Sequence, residues 1–244
     1  MPKLATWNLD RPEAAERREA MRAHTDRERA DVWVLTEAND AFTPGHPFSH
    51  SSAAGRDGLD EREHHWVTIW SQYPLKPLET PDDKRTAAAR ILPDSGAPFV
   101  VYGAVLPWLG STWREHPSAG GVAFREALSL QVADWMRIQR EFPEDEFFVL
   151  GDFNQDLVHP HYYGSRANRR ELESALETAG LVALTGGDRD PIRRGSAPWA
   201  CIDHICARRD SKWRTAPATR WPDLPAPERW ISDHFGLSVT FSLA

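Results

Sequence analysis

The sequence predicts one domain of mixed α/β or α+β layers spanning residues 1–244. Short apolar, β-capable runs recur along the chain, and a few amphipathic helical stretches separate them. The alternation is too irregular for a parallel βαβ series, which points to mixed layers instead. The size agrees, because 244 residues fit one large domain better than two small ones. Hydrophobic residues make up 41% of the chain and 11 residues are Trp, enough apolar surface to offset the entropy of ordering it.

Taken in order, Lys3–Asn8 is short and β-capable, and it ends where charged helix formers begin after Pro12. From Glu13 to about Arg29 the Ala, Glu and Arg residues favour a helix, with Ala14, Arg18 and Met21 at helical spacing. Asp31–Glu37 reads as a buried strand whose last residue is acidic. Between Phe42 and His65, Pro44, Gly45, Pro47, Gly55 and Gly58 mark a long irregular loop with room for one short strand. Trp66–Ser71 and Ala87–Leu92 resume β character, and Phe99–Leu106 is the strongest apolar run before Pro107. Leu128, Val132, Trp135 and Phe142 define an amphipathic helix over about Gly121–Glu141, stopped by Pro143.

Glu146–Leu150 is then a compact buried strand that runs into Gly151-Asp152-Phe153-Asn154. A further helix over about Asn168–Ala179 carries Leu172, Ala175, Leu176 and Ala179 on one face, with Asn168 as its N-cap and Gly180 as its stop. Two late strands follow, around Ala200–Ala207 and Phe235–Phe241, and the proline-bearing stretch Thr215–Glu228 connects them.

Charge and composition exclude several classes. The formal charge of −7 disfavours a generic nucleic-acid binder, which needs a basic surface to displace counterions. No run approaches the roughly 18 apolar residues of a membrane span, and Met1–Asn8 lacks the apolar core of a secretory signal, so a cytoplasmic location is expected. Cys201 and Cys206 are too few for a disulfide scaffold and lack a second Cys/His pair for zinc; they read as buried thiols.

The informative feature is that strand after strand runs out into an acid, an amide or a histidine: Asn8, Glu37, Asp152 with Asn154, Asp203, and Asp233-His234. A rigid sheet fixes where such groups stand. In an extended segment residues i and i+2 share a side, so Asp152 and Asn154 can reach one site while Phe153 packs away. A bend before the last strand would let both Asp233 and His234 face it, with Asp203 as the carboxylate that orients the imidazole. Two like charges about 4 Å apart repel by roughly 4 kcal/mol at an effective dielectric of 20. Glu37, Asp152, Asp203 and Asp233 gathered together would therefore shift their pKa values or hold a cation. Oxygen donors favour a hard ion, Mg²⁺ or Mn²⁺, which suits metal-assisted phosphoester hydrolysis.

Trp7-Asn8, Glu37, Ser71–Pro74, Gly151-Asp152-Phe153-Asn154, Ile202-Asp203-His204-Ile205 and Ser232-Asp233-His234-Phe235 resemble, in order, the motifs of the endonuclease/exonuclease/phosphatase superfamily with the deoxyribonuclease-I-like fold. The resemblance implies a four-layer sandwich, two mixed β-sheets face to face with helices on the outside, and a divalent-metal site at one sheet edge. Carried over by position, Glu37 is the main metal ligand, with Asn8 and Asp233 close to the metal or the phosphate. Asp152 and Asn154 orient water and phosphate, and His234, held by Asp203, is the acid–base or phosphate-stabilising histidine. The resemblance leaves open whether Asp152 or the Asp203–His234 pair deprotonates water. The implied partner is a phosphoester substrate.

One departure stands out. Many members carry a His after the central strand, where this chain has Val105-Leu106-Pro107-Trp108; His116, Tyr102 or a His of the Phe42–His65 loop are the candidates to replace it, each better read as an ordinary surface residue. His64-His65 and His159-Pro160-His161 read as solvated loop residues. Trp108, Trp113, Trp199 and Trp221 fit either base stacking or core packing. A nuclease would draw on Arg166, Arg169, Arg170, Arg193 and Arg194; the alternative to an enzyme is a binding module that keeps the scaffold and has lost hydrolysis.

Overall fold

Apolar residues on both sides of the central strands bury two sheets on both faces. The structure is a computed structural model and describes residues 2–55, 63–193, 198–223 and 228–243. The first part of the chain forms β1 (Lys3–Asn8), α1 (Ala15–Glu28), β2 (Val32–Asn39), β3 (Phe48–Ser51) and β4 (His64–Ser71). The middle forms β5 (Leu75–Leu78), β6 (Thr86–Ile91), β7 (Phe99–Val105), α2 (Val122–Glu141), β8 (Glu146–Asp152), α3 (Arg166–Thr178), β9 (Leu181–Ala183) and β10 (Asp203–Arg208). The last part supplies β11 (Trp213–Thr215), β12 (Thr219–Trp221) and β13 (Gly236–Leu243).

The first and last parts build one sheet in the order β11-β13-β1-β2-β4-β3, with β12 also paired to β13. The middle builds the other, in the order β5-β6-β7-β8-β10-β9. Both are mixed: β1 and β2 run parallel in one, β7 and β8 in the other, and the remaining pairs are antiparallel. A parallel pair needs a crossover, and α1 and α2 provide the two.

Alternate residues then face different layers. Leu4, Val32, Val34, Val101, Phe148 and Leu150 meet between the sheets. Ala5, Trp33 and Leu35 point outward under Met21 of α1, and Val100, Tyr102, Phe147 and Val149 point outward under α2 and α3. The result is four layers, helix, sheet, sheet, helices, and it explains why the strands read as nearly continuous apolar runs. The sheets approach closely at Gly103, where an added Cβ would lie 2.4 Å from Val67 Cγ1.

Topology also decides where the polar strand ends gather. The parallel strands β1, β2 and β8 finish at one end of the sandwich, and their antiparallel neighbours β13 and β10 begin there. Asn8, Glu37, Asp152, Asp203 and His234 are thereby brought to a single edge.

Several local expectations need correction. Strand β2 does not stop at Glu37 but continues to Asn39, with Glu37 in the left-handed region at φ 47°. The cap of α3 is Ser165, whose hydroxyl accepts from Asn168 N; Asn168 already lies inside the helix. His64 and His65 belong to β4, bonded to Asn39 and to Ser52 and Asp40. His161 is half-buried, with Nδ1 2.7 Å from the buried Asp156 Oδ2. The Thr215–Glu228 connector contains a strand, β12, whose Trp221 packs on Trp7 and Trp33 in the core. Trp113 is also core, donating to Asp82 Oδ2 at 2.8 Å, whereas Trp108 is exposed. Cys201 and Cys206 are both free and buried, as expected. Arg194 lies outside the described residues.

Candidate active site

The strand ends differ in how the backbone presents them. Gly151 precedes Asp152 at φ 139°, and an added Cβ would stand 2.0 Å from Ala104 O, so only glycine lets β8 pass β7 this closely. Asp152, the next residue, is fully buried. Phe153 turns into the layer under the helices, while Asn154, at φ 49°, folds back so that its backbone N–H donates to Asp152 Oδ1 (2.8 Å) and its Nδ2 to Oδ2 (2.9 Å). Asn154 Nδ2 also donates to Leu106 O at 3.0 Å. Where the resemblance implies a missing His, the main chain after β7 thus holds Asn154 in place. The candidate replacements are engaged elsewhere: Tyr102 is buried against Trp135, His116 stacks on Trp113, His50 lies in β3 opposite Ile69 of β4, and His46, His64 and His65 are bonded to groups of the first sheet and its loops.

Asn8 links the two sheets. Its Nδ2 donates to Glu37 Oε1 and to Asp152 Oδ2, both at 3.1 Å, and its Oδ1 accepts from Asp10 N at 2.8 Å. The amide therefore shows the two carboxylates its NH₂ group. Glu37 Oε2 accepts from Arg11 Nε at 3.1 Å, a contact the sequence reading did not anticipate. Across β8, Asp203 stands opposite Asp152 in register, and its Oδ2 lies 2.6 Å from His234 Nδ1.

The bend expected before β13 is present at Asp233-His234. Ser232 fixes it, donating from Oγ to Asn8 O (2.7 Å) and accepting from His234 N (3.0 Å), while Trp7 Nε1 donates to His234 O (3.2 Å). Asp233 ends up at the rim, with a side chain 60% exposed and 3.8 Å from His234 Nε2. The phenol of Tyr163, another residue the sequence reading passed over, is raised by its burial and by the charges of Asp152 and Asp233. Beside His234 a cleft of about 40 Å³ is lined by Tyr162, Trp199, Ile202 and Phe235.

Electrostatics follow from this packing. Burial, then the charge of Asp203, pushes the Asp152 carboxyl up to about 7, with Glu37 adding to the rise and His234 and the Asn154 N–H opposing it. Burial alone would lower His234, but the charge and hydrogen bond of Asp203, together with Asp152 and Asp233, carry it up to about 10.

These residues fit a hard divalent cation. Ligand atoms of Asp152, Asp203 and His234 lie within 4.8 Å of one another, a cluster that does not include the expected ligands Glu37 and Asp233, and Asp203 Oδ1 is buried with no hydrogen-bond partner among the described residues. His234 is engaged with Asp203 through Nδ1, so the unsatisfied ligand capacity is carboxylate oxygen, the donor type that Mg²⁺ and Mn²⁺ prefer.

A profile of the Endonuclease/Exonuclease/phosphatase family matches residues 5–234. No curated protein sequence matches the chain. Among solved structures, a 3'-5' exonuclease from Neisseria meningitidis is 17% identical with a TM-score of 0.66, over 98% of this chain and 99% of that one. A mannosyl-6-phosphatase from Bacteroides thetaiotaomicron is 14% identical with a TM-score of 0.68, over the full length of both chains. Beta toxin from Staphylococcus aureus with bound magnesium ions is 14% identical with a TM-score of 0.59, over 97% of this chain and 98% of that one.

Proposed function

The chain belongs to the Endonuclease/Exonuclease/phosphatase family, and on that premise we propose that it is a divalent-metal-dependent phosphoester hydrolase in which water attacks phosphorus. The observation that carries the reading is the pairing of Glu37 and Asp152 through one Asn8 amide, with an Asp203–His234 ion pair beside them. Glu37 would be the principal ligand for Mg²⁺ or Mn²⁺, with the Asp152 and Asp203 carboxylates beside it and with Asn8 and Asp233 close to the ion or the phosphate. When bound, the ion neutralises charge on the phosphoryl oxygens.

The chain's own groups divide the remaining work. Asp152, near 7, is the base that takes a proton from water, and Asn154 holds both its oxygens in place. His234, already protonated at neutral pH, donates toward the leaving oxygen or the phosphoryl group. Asp203 keeps the imidazole charged and oriented.

A nuclease is the less favoured substrate reading. The net charge is −7, and Arg169 is turned inward onto Val158 O and Asp156. The test is a panel of phosphomonoesters and phosphodiesters assayed with Mg²⁺ and Mn²⁺. Turnover should vanish with chelator and fall at least ~100-fold in Asp152→Ala and in His234→Ala. Equal turnover in both variants would remove this assignment.

A further inference from the structure

Arg11 lies outside every motif that identified the site, yet it touches the carboxylate assigned to the metal. Its Nε donates to Glu37 Oε2 at 3.1 Å and its Nη2 to Asp10 Oδ1 at 3.0 Å, while Nη1 donates to nothing among the described residues. The side chain is 39% exposed, so it reaches from the buried carboxylates to the mouth of the site.

The loop that presents it is strained and pinned. Asp10 and Arg11 are consecutive non-glycine residues in the left-handed region, at φ 44° and 54°. Such backbone persists only where its surroundings over-determine it, and it concentrates at functional sites. The surroundings here are explicit. Arg11 N donates to Glu37 O, and the buried face of Arg17 holds Leu9 O (2.9 Å), Asp10 O (2.8 Å) and, across the site, Ile231 O (2.6 Å). The backbone of Arg11 is therefore fixed while its guanidinium is held by single contacts that a ligand can replace.

A cation on Glu37 and a guanidinium on the same carboxylate repel one another, and an anion between them removes the repulsion. Resting on the reading of the site given above, we propose that Arg11 is a phosphate-binding residue: it neutralises Glu37 in the empty site and turns to the phosphoryl oxygens of the substrate when metal occupies that carboxylate, so that metal and phosphate load together. Arg suits this exchange because its planar fork matches carboxylate and phosphate equally well. It also supplies a cation in addition to His234 in a site whose Leu106-Pro107 segment carries no histidine.

The inference is tested by Mn²⁺ binding, followed by calorimetry or electron paramagnetic resonance with and without inorganic phosphate, on wild type, Arg11→Met and Arg11→Lys. Phosphate should tighten Mn²⁺ binding to wild type about tenfold, and Arg11→Met should bind Mn²⁺ alone about tenfold more tightly than wild type and gain nothing from phosphate. Arg11→Lys, which keeps the charge, should retain part of the phosphate effect. If Arg11→Met matches wild type both in Mn²⁺ affinity and in its response to phosphate, the inference is overturned and the metal-centre reading stands. If wild type takes up no Mn²⁺, both fall together.

Discussion

The Asp203–His234 contact sets what each group near it can do. Removing the charge with Asp203→Asn should lower His234 from about 10 toward the ordinary imidazole value, readable by NMR titration of the ring protons. In wild type, kcat/KM should rise with pH as Asp152 deprotonates, at or below about 7 because a bound cation favours the carboxylate, and fall as His234 deprotonates near 10. In the variant the falling limb should move to lower pH; a limb that stays put would separate His234 from it. Asn8, Glu37, Asp152, Asn154, Asp203 and His234 were readable in the sequence because each follows or opens an apolar run, where a polar residue is conspicuous. Arg11 was not, because it sits in a stretch already rich in charge and only long-range packing brings it to Glu37.

Strand β8 illustrates what an element contributes. The apolar Glu146–Leu150 run was legible as a strand, but the reason a glycine follows it was not, since the constraint is the carbonyl of Ala104 on a neighbouring strand. Gly151→Ala should cost about 3 kcal/mol or more, by overlap with that carbonyl and by strain at φ 139°, and thermal melting checks it. A variant that melts with wild type would mean that β7 and β8 can spread at no cost. The elements the sequence hid are β5, β9, β11 and β12, each only three or four residues long. In Leu75-Lys76-Pro77-Leu78 a proline and a lysine suppress any strand signal, and edge position is what tolerates them. Helix α3 shows the same limit at its start: Ser165 and Asn168 are both capable caps, and the backbone angles of Ser165 decide between them.

At the scale of the whole molecule, the first sheet supplies Asn8 and Glu37 and the second supplies Asp152 and Asp203, so the site exists only when the sandwich is assembled. A cation bound there stabilises the folded state by mass action, about 2.7 kcal/mol at a hundredfold excess over its Kd. For a chain of this size that should raise Tm by roughly 5–10 °C with saturating Mn²⁺, and Glu37→Ala should abolish the shift. An equal shift in the variant would place the ion elsewhere. The general layering was legible from run lengths and alternation, whereas the pairing order of the strands was not, because it depends on crossovers that no local pattern encodes. The single amide of Asn8 has one more implication. A slip of one sheet along the other would part Glu37 from Asp152 while leaving every backbone ladder intact. Mild denaturant should therefore silence the chemistry at concentrations where tryptophan fluorescence still reports an intact interior.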